Sequence, residues 1–115
     1  MSVASDFACS LQTALDALEH DEWAVVRARE RAIQGISPAD AFASIVEVLR
    51  LAATHSDPYA FSSCCQVALS LANLADTTER PDGLETVLTL LDTPARALGC
   101  TKDLSEVRAW FRIAA

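Results

Sequence analysis

Residues 57–76 read DPYAFSSCCQVALSLANLAD, with no charged side chain between the aspartates at the two ends. Asp57 places a capping carboxylate directly before Pro58, whose fixed φ and missing N–H suit the first position of a helix. Phe61, Cys64, Cys65, Ala68, Leu69, Leu71, Ala72 and Ala75 then recur at spacings that wrap most of the way round a helix over 58–76. A helix apolar on most sides is packed by several neighbours, so the expectation is a central helix in an all-α protein. Its length invites a membrane reading. Ser62, Ser63, Gln66, Ser70 and Asn73 make it too polar for one, and acidic loops flank it.

Working outward, Ser37-Pro38 and Thr93-Pro94 repeat the polar-proline signal, and Asp40 stands three residues after Ser37 as in a capping box. These marks predict helices over 6–19, 22–34 (stopped by Gly35), 38–54, 58–76 and 82–91. A short turn follows over 94–98, stopped by Gly99, and a last helix covers 102–113. No segment alternates with period two between hairpin turns, so no strand is expected. Phe7, Leu11, Ala14, Leu15 and Leu18 share a face of the first helix. In the third, Phe42, Ile45, Val46, Leu49 and Ala53 oppose Ser44, Glu47 and Arg50. Leu104, Val107 and Phe111 form an inner seam in the last helix and turn Trp110 to its edge.

The whole chain, 115 residues, suits one domain of about six helices, a compact helical bundle or a short α-solenoid. Hydrophobic residues make up 51% but aromatics only 6%, glycines number three, and mean hydropathy is +0.22. The apolar content is therefore mostly Ala, Leu and Val, which favours helices. A net charge of −7 and a pI near 4.6 argue against nucleic acid as partner and for a protein with a basic surface. Arg27 and Arg31 lie one turn apart while Arg29 points elsewhere, which reads as a solvated helix face. The N-terminus has no basic region followed by an apolar stretch, so a cytoplasmic chain is expected. Cys9, Cys64, Cys65 and Cys100 lack zinc spacing and are expected to be reduced and largely buried.

Adjacent Cys64 and Cys65 point about 100° apart and are expected to pack as small apolar groups. Ser63, Gln66, Ser70, Asn73 and Thr77 recur at three, four, three and four residues, an uncharged stripe on an otherwise greasy helix. Ordinary solvent exposure explains such a stripe, and so does a partner-facing strip, since neutral amides and hydroxyls cost less to desolvate than charges. On the second reading these five residues are candidate binding residues. Substituting Gln66 or Asn73 should then weaken binding and leave stability nearly unchanged. Trp23 and Trp110 are expected at the core edge, with an exposed binding anchor as the alternative that adds Trp110 to the candidates. His20 and His55 read as helix-end residues. The run Glu19, His20, Asp21, Glu22 is too local to converge on a metal, and the acidic residues at other helix starts serve caps and dipoles.

No phosphate loop, nucleophile elbow or zinc-protease motif occurs, and neither catalytic residues nor a cofactor is expected. The capped starts at Pro38 and Pro58, with Asp-Pro-Tyr-Ala-Phe at 57–61 echoing Ser-Pro-Ala-Asp-Ala-Phe at 37–42, make 37–113 resemble the helix-pair repeats of the HEAT and armadillo class. That resemblance implies a short solenoid, here two and a half repeats at most. Size, charge and class together suggest a non-catalytic binding module that masks or escorts a basic partner, as an immunity protein, secretion chaperone or adaptor does. A self-associating helical protein, for instance a homodimer, is the alternative, and a small enzyme comes third.

Overall fold

The computed structural model describes residues 3–17, 21 and 23–113. The ends expected near 19 and 22, with Leu18, Glu19, His20 and Glu22, lie outside the described residues. Six helices follow in order: α1 (Val3–Asp16), α2 (Ala24–Ile33), α3 (Pro38–Ala52), α4 (Pro58–Ala75), α5 (Leu84–Leu98) and α6 (Thr101–Trp110). No strand occurs among the described residues.

Two of the proline signals act as expected. The Ser37 hydroxyl accepts the Asp40 N–H at 3.2 Å, the Asp57 carboxylate accepts the Tyr59 N–H at 3.0 Å, and a proline opens each helix. At the far end of α4, Asp76 turns left-handed (φ 53°) and its N–H reaches the carbonyls of Ala72 and Asn73, both at 3.1 Å.

The third signal does not start a helix. The expected break after Leu91 is absent, and α5 runs through Pro94 to Gly99, where the Cys100 N–H closes on the Ala95 carbonyl at 2.8 Å. Proline there removes the bond to the carbonyl four residues back, that of Leu90. Leu90 is 68% exposed, so water can meet that side of the helix. On the inner side Leu88, Leu91 and Ala95 are all buried, and only an unbroken helix keeps the three on one face. Their burial outweighs one lost backbone bond.

α4 packs against α2, α3 and α6, and α3 packs against α1, α4 and α5, so the two form the central pair. Phe7, Leu11, Ile45, Leu49, Phe61, Leu71, Leu88, Leu91, Leu104 and Phe111 fill the core around them. Three neighbours leave α3 more enclosed than the single face expected for it. Ala41, Val48, Ala52 and Ser44 are buried, Ala53 is exposed, and the Ser44 hydroxyl is satisfied locally by donating to the Asp40 carbonyl at 2.8 Å. The inner seam of α6 is as expected: Leu104, Val107 and Phe111 are buried and Trp110 is half-buried.

The segment after α4 is tied to the end of α6. The Trp110 indole N–H donates to the Thr77 carbonyl at 3.0 Å. Arg80 donates to the carbonyls of Phe111 (3.3 Å) and Arg112 (2.9 Å) and pairs with Glu85 at 2.6 Å. Arg108 grips Asp92 with two bonds of 2.8 and 2.9 Å, joining α6 to α5. Among the described residues no helix is long and apolar enough to cross a membrane.

Candidate functional site

The polar stripe of α4 divides. Ser63 is buried at 2% exposure, and its hydroxyl donates to the Tyr59 carbonyl one turn back at 2.8 Å. A serine satisfied by its own helix can enter a core, so Ser63 leaves the expected surface strip. Thr77 lies past the left-handed Asp76. Its hydroxyl accepts the Glu79 N–H at 3.0 Å and its carbonyl takes the Trp110 indole, so Thr77 and Trp110 bind each other. Trp110 spends its polar handle inside the molecule, as a core-edge residue does. Asn73 is exposed.

Gln66 and Ser70 remain, and they form one wall of a groove whose other wall is α2. Arg29 reaches across from α2 and its guanidinium donates to the Gln66 side-chain carbonyl. On its other side the Gln66 amide donates to the Ser62 hydroxyl at 3.4 Å, and Ser62 donates to the Asp103 carboxylate at 3.0 Å. A polar chain thus runs Arg29, Gln66, Ser62, Asp103 across α2, α4 and α6. The Arg29–Gln66 contact parts the groove into two hollows. One, of about 230 Å³, is lined by Val26, Arg29, Glu30, Ile33, Gln66 and Ser70. The other, of about 190 Å³, lies toward Tyr59, Ser62 and Ser63, and Tyr59 is 42% exposed. Hydroxyls and a primary amide, the Arg29 cation, the Glu30 carboxylate and apolar edges make a set suited to holding an extended segment by hydrogen bonds.

Arg29, Tyr59 and Ser62 join the groove from outside the uncharged stripe. The signal for Arg29 was present: it projects away from Arg27 and Arg31, and Arg27 pairs instead with Asp21. A larger hollow, of about 400 Å³, separates α1 from α2 behind Ala14, Ala17, Ala24 and Ala28, whose short side chains leave it unfilled. Trp23, expected at the core edge, instead stands exposed just before α2. His55 is half-buried beyond the end of α3, its N–H on the Ala52 carbonyl at 3.2 Å.

Three of the four thiols are packing groups, whereas Cys9, expected buried with them, is exposed on α1. Cys64 and Cys65 are fully buried, and burial pushes the Cys64 pKa up to about 12. Burial raises Cys65 further, with the Asp103 carboxylate adding to it. Burial also raises Cys100, and Asp103 and Asp57 contribute. All three hold their protons at neutral pH. Among the described residues no three His, Cys, Asp or Glu side chains cluster closely enough to hold a metal ion. In comparisons with known proteins, no family model, curated protein or solved structure matches this chain.

Proposed function

We propose that this chain is a non-catalytic protein-binding module that takes a segment of a partner protein into the groove between α2 and α4, and so masks or escorts it. The observation that carries the reading is the exposed Gln66 amide, held by Arg29 on one side and Ser62 on the other with a hollow beyond each. The amide is pre-oriented, so a partner meets it without the cost of ordering it. The lining offers hydroxyls, a primary amide, one cation (Arg29) and one carboxylate (Glu30), and the proton of Ser62 is directed at Asp103 with no histidine in the lining to relay it, which favours recognition over turnover. A net charge of −7 favours a partner with a basic surface, drawn in by the field of the whole molecule. On this reading the chain belongs with cytoplasmic immunity proteins, secretion chaperones or adaptors, an analogy that rests on its size, charge and class. The same reading takes 37–113 as helix pairs of the HEAT and armadillo kind, with α3 laid along α4 and α5 along α6.

The test is affinity capture from the native cell with the wild-type chain and with Ser70→Trp, which fills the groove's hollow of about 230 Å³ from a half-buried position. The partner should be retained by the first and lost by the second, while circular dichroism shows both folded. A partner held equally by both proteins would place the binding surface elsewhere.

A further inference from the structure

We propose that α5 is the contact face of a weak homodimer, in which two copies of the helix pair antiparallel about a two-fold axis near Leu90. α5 lays its inner face against α3 and α6, and its outer face carries Thr86, Thr89, Leu90, Thr93 and Ala97, all exposed and none charged. Leu90, at 68%, is the most exposed large hydrophobic residue described. With no charge to desolvate and an aliphatic side chain at its middle, this helix face can take a second helix at low cost.

The charges beside this face identify the cover as a second copy. Glu85 and Arg96 stand about three turns apart, roughly 16 Å along the axis, and therefore on the same flank. A two-fold antiparallel pairing sets each flank beside the same flank of the other copy. With the axis near residues 90 and 91, Glu85 meets the second copy's Arg96, the reverse pair forms by symmetry, and the two Leu90 side chains meet on the opposite flank. The partners are available for it. Arg80 engages only one oxygen of Glu85, and the Arg96 guanidinium makes no hydrogen bond among the described residues, acting on Asp92 one turn back only through its field. Asp92, the third charge on that flank, is neutralised by Arg108. A contact of one helix face is small, so the dimer is concentration-dependent, and it leaves the groove between α2 and α4 uncovered.

Sedimentation equilibrium over a concentration series, near 0.15 M salt to screen the like net charge of the two copies, tests the pairing. The wild type should associate reversibly. Leu90→Glu, Thr93→Arg, Glu85→Arg and Arg96→Glu should each weaken association about tenfold or more, and Glu85→Arg combined with Arg96→Glu should recover it. Thermal melts establish that each variant is folded. Leu90→Glu and Thr93→Arg lie away from the Arg80 link and keep the test decisive if Glu85→Arg unfolds. A wild type that stays monomeric at the highest soluble concentration, a dimer that all four single variants form equally well, or a double reversal that does not recover association would overturn the proposal.

Discussion

Cys64 and Cys65 are neighbours on a helix yet both fully buried, which requires cover on two sides of α4 at once. α2, α3 and α6 provide it. The cover has a consequence in pH. A thiol whose folded pKa lies above its ordinary 9.0 holds its proton longer in the fold than in the open chain. The contribution of Cys64 is therefore complete below about pH 9 and is lost as pH rises from there toward about 12, with Cys65 and Cys100 acting in the same direction. Denaturant midpoints should fall across that window, and Cys64→Ala should flatten the fall. Without denaturant a maleimide should label exposed Cys9 promptly and the other three only as the fold opens. Equal labelling of all four thiols would contradict the burial.

At the scale of elements, the instructive helix is α5. Its interior proline gives up a backbone bond and is retained because burial on the inner face exceeds that loss. Pro94→Ala restores the N–H toward the Leu90 carbonyl but loosens the unfolded chain. The net expectation is a stabilisation of about 1–2 kcal/mol in urea unfolding. A clear destabilisation would mean that the proline is needed for the course of α5. The junction of α2 with α4 includes the Arg29–Gln66 contact, so Gln66→Ala should cost some stability, against the neutrality that its place on an uncharged stripe implies. A double-mutant cycle of Arg29→Ala and Gln66→Ala should show a coupling of about 0.5–1 kcal/mol, while Asn73→Ala should stay within about 0.5 kcal/mol of wild type. Zero coupling would leave the two walls of the groove independent.

At the scale of the molecule, Arg80 and Trp110 close the segment after α4 onto the end of α6. Arg80→Ala removes donors to two carbonyls and one carboxylate, and should cost about 1–3 kcal/mol. In a Trp23→Phe background the remaining indole reports that corner alone, and its emission should shift red as the Thr77 bond loosens. An unchanged spectrum and midpoint would show that the corner holds without Arg80. The Arg108 guanidinium, first by its hydrogen bonds, holds the Asp92 carboxyl below its ordinary 3.8. That contribution is present above pH 3.8 and declines as pH falls below it, so Arg108→Leu should narrow the stability gap between neutral and acid solution.

The helices that the chain itself determined are those whose signals act over three or four residues. Ser37-Pro38 and Asp57-Pro58 satisfy their own first N–H groups, and the apolar period of 58–76 demands a helix wherever the chain goes. Those local interactions exist before any tertiary contact, and so does the seam of Leu104, Val107 and Phe111. Only the folded molecule decided what depends on who the neighbours are. Thr93-Pro94 carries the same local signal as the other two dipeptides, and the core under Leu91 and Ala95 overrode it. Ser63 and Gln66 belong to one stripe, but a hydroxyl bonded to its own helix can be buried and a primary amide carrying two bonds to other side chains stays at the surface. A helix that is apolar nearly all round gives no indication of which sides will be covered. The groove therefore came into being only when Arg29 of α2 arrived beside Gln66.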